Sequence, residues 1–166
     1  MKKTLLTMLT LLCLGCMALR AADEAAKAAD AGWLDDYAKA KAVAAEKKLP
    51  ILLNFTGSDW CGWCVKLDKE VFSQKAFLDY AEKNLVLMKI DFPKKIELTE
   101  EVKTQNKKLA DEFKVRGFPT IYLVGADGQI IGRTGYKPGG AEKYVEHLKD
   151  LLKQEQLKKL RPMPTE

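Results

Sequence analysis

Short apolar runs alternate along this chain with longer stretches whose apolar residues recur every three or four positions. The first pattern predicts buried strands and the second amphipathic helices. Trp33 to Lys48 has the helical spacing, with Trp33, Leu34, Tyr37, Ala38, Ala40, Val43 and Ala44 near one side. Asp30 is its expected N-cap and Pro50 its stop. Ile51-Leu52-Leu53-Asn54-Phe55 reads as a buried strand, followed by the turn Thr56-Gly57-Ser58-Asp59. Ser58 or Asp59 is expected to cap the next helix, from Gly62 toward Phe72. A short helix over 74–83 and a strand over 85–92 follow, broken by Pro93-Lys94-Lys95. Thr99, with Glu100 and Glu101, opens a helix that reaches Phe113. Gly117-Phe118-Pro119-Thr120 turns into the strand 121–124, and Ala126-Asp127-Gly128-Gln129 is a hairpin signal leading back through 130–133. A last helix is expected over 140–154. An early strand–helix–strand unit favours a parallel crossover and the late hairpin adds antiparallel strands. The expected fold is therefore α/β, with a mixed central β-sheet covered by helices on both faces.

Composition supports that picture. The chain has 166 residues, 47% hydrophobic and 31% charged, enough apolar surface for one globular domain with extensions. The ends read differently from the middle. Residues 1–22 pair Lys2-Lys3 with a leucine-rich stretch and end on Ala18, Ala21 and Ala22, the pattern of an export signal peptide. A retained anchor, or lipid attachment at Cys16 after Leu14-Gly15, are the alternatives. Residues 23–32 read as a linker, 33–156 as the domain and 157–166 as a tail. The net charge of +5 includes Lys2, Lys3 and Arg20, and +2 remains without them. The other charges alternate in sign along helices, so they read as a solvated surface and no nucleic-acid partner is expected.

Of four cysteines, Cys13 and Cys16 lie in the leader, which leaves Cys61 and Cys64 in Trp60-Cys61-Gly62-Trp63-Cys64. Two thiols three apart at a helix start suit thiol–disulfide exchange. Outward amide N–H groups in the first helical turn favour a thiolate at Cys61, with a pKa expected in the range of about 3.5–7.5. Cys64, one turn on and less exposed, is placed to resolve a mixed disulfide on Cys61. One residue more or fewer would rotate it away by roughly 100°. Half of a zinc site is a competing reading, but the other candidate ligand, His147, is expected on a helix surface. No metal and no cofactor are expected.

With Val115-Arg116-Gly117-Phe118-Pro119-Thr120 downstream, the chain resembles the thioredoxin superfamily. In detail it is similar to exported bacterial thioredoxin-like proteins related to the soluble domain of membrane thiol–disulfide interchange proteins. The resemblance covers residues 33–155. It implies a thioredoxin-like fold, catalytic Cys61 and Cys64, and a cis Pro119 facing their sulfurs. It also implies that Phe118 offers its backbone to an extended substrate segment, and that Trp60 shapes the substrate surface. Trp63 stands where thioredoxin carries proline, and is expected to be exposed and to touch substrate. Asn54 stands where thioredoxin carries a buried aspartate that moves a proton, and Asn54 cannot exchange one. Asp59 and Glu70 are the candidate carboxylates to replace it. The implied activity is protein-disulfide oxidoreduction, in the reductase or isomerase direction, on cysteine-containing exported proteins in the periplasm or a comparable compartment. A membrane protein would supply or accept the electrons, and the chain is expected to be a monomer. The alternative is a non-catalytic binding module that holds an exported partner.

Overall fold

The computed structural model describes residues 32–160. The leader, most of the linker, Asp30 and residues 161–166 lie outside them. Strands β1 (Trp33–Leu34), β2 (Ile51–Thr56), β3 (Val86–Asp91), β4 (Thr120–Val124) and β5 (Ile130–Thr134) form one sheet in the order β1-β3-β2-β4-β5. β1, β3 and β2 are parallel, and β4 and β5 join antiparallel. The mixed sheet is as expected, with one strand more than the sequence suggested.

That strand corrects the first predicted helix. Trp33 and Leu34 pair with Leu87 and Met88 of β3, and helix α1 begins only at Tyr37 and runs to Lys47. Two apolar residues fit either period, and here edge pairing decides. Asp36 caps the helix, accepting the Lys39 N–H at 3.0 Å. The Gln105 side chain clamps the junction, accepting the Tyr37 N–H and donating to the Asp35 carbonyl. The stop is also earlier than Pro50: Lys48 takes the left-handed conformation, φ 56°, and closes the last turn on the Ala44 carbonyl.

β2 is central, and all six of its residues are buried. Its near-continuous apolar run is what a strand covered on both faces requires. Alternate side chains enter two cores. Ile51, Leu53 and Phe55 pack with Ala40 and Ala44 of α1, Leu109 of α4 (Glu100–Glu112) and Tyr122. Leu52 packs with Leu67 of α2 (Gly62–Leu67), Phe77 of α3 (Lys75–Asn84), and Tyr144 and Leu148 of α5 (Gly140–Leu160). α2 continues into a π-helical turn at Asp68–Phe72, and α5 runs six residues past its expected end at 154. Thr99 caps α4 as expected, accepting the Val102 N–H. The Gly125–Gln129 turn closes the β4–β5 hairpin, with Gly128 at φ 85°.

Among the described residues, no helix is long and apolar enough to cross a membrane.

Candidate active site

The site lies where β2 ends and α2 begins, flanked by the end of β3 and the start of β4. The capping expectation needs correction here. Neither Ser58 nor Asp59 caps α2. Cys61 does: its backbone is extended, and its Sγ accepts the Cys64 N–H at 3.2 Å. Cys61 and Cys64 are joined as a disulfide, with Cα atoms 5.2 Å apart. Cys61 keeps 8% of its surface and Cys64 4%, so Cys61 is the more accessible residue of the pair. The amide aimed at Cys61 Sγ, with the other N–H groups of the first turn, favours negative charge there once the pair is reduced.

Ser58 and Asp59 instead tie the turn to the end of β3 and to the segment after it. Ser58 donates its N–H and its hydroxyl to the Asp91 carboxylate. The Asp59 carboxylate accepts the N–H groups of Lys94, Lys95 and Ile96, the first at 2.9 Å. Those bonds hold the Asp59 pKa below its ordinary value, chiefly through Lys94. Trp60 adds a third tie, its indole N–H donating to the Phe92 carbonyl at 2.7 Å. Gly57 makes room for this ring. A Cβ there would sit 2.5 Å from Trp60 Cε2, closer than packed carbons allow. Lys94 Nζ lies 4.4 Å from the centre of the Trp60 ring.

Trp60, Cys61, Val115, Arg116, Gly117 and Phe118 line a shallow pocket. Phe118 meets Trp60 edge-on, with ring centres 6.0 Å apart, and stacks on Phe92 at 5.1 Å. The Thr120 hydroxyl donates to the Gly117 carbonyl and closes the turn, and the Phe118–Pro119 peptide bond is cis.

Trp63 lies on a different surface. The residue is 58% exposed, its ring lies 5.1 Å from that of Tyr136, and Lys66 Nζ lies 5.2 Å from both rings. Tyr136 donates its hydroxyl to Glu70 at 2.7 Å, and Lys66 lies 3.8 Å from the same carboxylate. The sequence therefore brings Trp60, Cys61 and Phe118 to one pocket and leaves Trp63 outside its lining.

Asn54, on the Leu52 face of β2, is 6% exposed, and its Oδ1 has no hydrogen-bond partner among the described residues. The two carboxylates suggested as its replacements are engaged elsewhere, Asp59 on the loop amides and Glu70 on Tyr136. His147, expected at the surface, is half-buried, with Nε2 3.0 Å from the Thr134 hydroxyl oxygen. Burial and nearby Lys137 lower its pKa. Among the described residues, no group of three or more His, Cys, Asp or Glu is placed to hold a metal ion.

Sequence reasoning missed Gly57, Lys94 and Tyr136 as members of this neighbourhood. Each acts through a partner far along the chain or through space left for a ring, and neither leaves a local spacing to read.

A family model for the thioredoxin-like domain matches residues 37–152. The chain belongs to the thioredoxin-like family. This thioredoxin-like chain is 37% identical over 126 residues to the disulfide bond reductase DsbH of Chlamydia pneumoniae, covering 76% of this chain and 75% of that protein. It is 32% identical to the thioredoxin-related protein DsbJ of the same organism, over 62% of this chain and 30% of DsbJ. A solved structure of a DsbH oxidoreductase superposes with a TM-score of 0.70 at 37% identity, covering 73% of this chain and 83% of that one. The family and the mixed sheet agree with the expectation from the two motifs, and the DsbH relatives are a disulfide bond reductase and an oxidoreductase by name.

Proposed function

We propose that this chain is a protein-disulfide oxidoreductase that reduces or isomerises disulfides in exported proteins, with Cys61 as nucleophile and Cys64 as resolving thiol. The observation that carries the reading is Cys61 Sγ at the N-cap of α2, bonded by the Cys64 amide and bordering the Trp60–Phe118 pocket.

The cycle starts from the dithiol. The Cys61 thiolate attacks one sulfur of a substrate disulfide, and the other substrate sulfur leaves as a thiolate that takes up a proton. Cys64 loses its proton and attacks Cys61 Sγ, releasing the second substrate thiol. Two electrons have moved, and the protein ends as the Cys61–Cys64 disulfide present in this structure. A dithiol on another protein must restore the reduced pair, and a membrane thiol–disulfide partner fits an exported compartment. Phe118 offers backbone to an extended substrate segment beside Pro119, with Trp60 as a wall of the same pocket. Trp63 gives a second aromatic contact further out. Asn54 carries no carboxylate to take the proton of Cys64.

Insulin reduction with Cys61→Ser and Cys64→Ser tests the reading. Either substitution should abolish turnover, and Cys64→Ser should accumulate mixed disulfides through Cys61. A parent protein without turnover, binding a partner equally well in both variants, would establish the binding-module alternative instead.

A further inference from the structure

We propose that the groove beside Cys61 selects substrate segments bearing acidic side chains next to the reactive disulfide, and that Lys94 and Arg116 set this preference. The inference deepens the oxidoreductase reading and rests on it.

The carboxylates around the site are turned to structural use. Asp59 accepts loop amides, Asp91 accepts from Ser58, and Glu70 faces Tyr136 and Lys66. Glu97, further along the same loop, acts on Lys103. The cations are placed the other way. Lys94 is exposed and held over Trp60, and Arg116 is exposed and lines the same pocket as Cys61. Lys94 owes its position to Asp59, because the carboxylate that binds its amide fixes where its side chain starts.

A segment lying along Trp60 and Phe118 therefore meets apolar rings with Lys94 over the first and Arg116 in the pocket lining. Acidic side chains flanking its cysteine pair with Lys94 and Arg116, and lysine or arginine there is repelled. Exposed pairs of this kind are individually weak, so two together should change kcat/KM on the order of three- to tenfold. The preference should shrink as salt screens it.

The test uses the reduced protein and three disulfide peptides that differ only in the residues flanking the cysteine: Glu, Gln or Lys. The Glu peptide should be reduced fastest and the Lys peptide slowest. In a Lys94→Gln, Arg116→Gln double variant the Glu-to-Lys ratio should fall to about one, and Lys94→Arg with Arg116→Lys should retain it. Equal rates for the Glu and Lys peptides in the parent, with the Gln peptide turned over, would overturn the preference and leave the oxidoreductase reading intact. A ratio that persists in the double Gln variant would overturn the roles of Lys94 and Arg116. Failure to reduce any of the three peptides would overturn both readings.

Discussion

The two tryptophans of Trp60-Cys61-Gly62-Trp63-Cys64 are three residues apart and are held by different physics. Trp60 is fixed by the fold: its indole N–H reaches a carbonyl 32 residues away, its ring lies over Gly57, and Phe118 meets it edge-on. Trp63 rests on its own helix and on one ring beyond it, touching Lys66 and Tyr136, and is 58% exposed against 42% for Trp60. Trp60 is thus part of a wall tied to two other loops, at Phe92 and Phe118. Trp63 is the more exposed ring and has fewer long-range ties. A wall beside the nucleophile keeps the groove open in one shape, and preorganised surfaces lose less freedom on binding.

The strongest way to break this contrast is Gly57→Ala. The added methyl must displace the Trp60 ring and with it the bond to Phe92, so a loss of about 1–3 kcal/mol is expected. Chemical denaturation measures the loss, and Trp60 fluorescence in a Trp33→Phe, Trp63→Phe background should report the moved ring. Matched Trp→Phe substitutions sharpen the contrast further. Trp60→Phe removes the N–H donor and should cost about 0.5–1.5 kcal/mol. Trp63→Phe keeps its ring contacts and should stay within about 0.5 kcal/mol of the parent. Equal costs would erase the distinction.

The Asp59 tie gives a pH-dependent test with a defined sign. Its folded pKa lies below the ordinary carboxylate value of 3.8 because Lys94, Lys95 and Ile96 donate to the ionised form. Its contribution is therefore complete above that ordinary value and lost as pH falls through the lower folded one. Asp59→Asn should be less stable than the parent near neutrality, and the gap in Tm should close on acidification below about pH 4. A gap that stays constant would mean that the carboxylate's charge is irrelevant to the tie. A small effect is also expected from Tyr136→Phe. It removes one partly exposed hydrogen bond to Glu70 and should cost at most about 1 kcal/mol by denaturation, with insulin reduction retained.

These contrasts also mark how far the chain could be read before folding. The local patterns were legible: the buried run at 51–55, the Thr99 cap, the turn at Gly128 and the helix after Cys61 depend on neighbours within a few residues. The expected capping of that helix by Ser58 or Asp59 failed because both side chains are engaged across the loop: Ser58 donates to the Asp91 carboxylate, and the Asp59 carboxylate accepts the N–H groups of Lys94, Lys95 and Ile96. The short strand at Trp33 failed for a related reason, since only the β3 edge gives two apolar residues their extended shape.

The order of residues alone determined the thiol pair, its spacing, the helix that presents it and the alternation that covers the sheet on both faces. Periodicity and first-turn geometry are short-range, so they are written in consecutive positions. Only the tertiary structure decided which tryptophan became a wall, which carboxylates were spent on amides, and which cations stand beside Cys61. Those outcomes follow from hydrogen bonds and ring contacts between loops some thirty to sixty residues apart, and such partners are chosen by the packed sheet that brings the loop ends together.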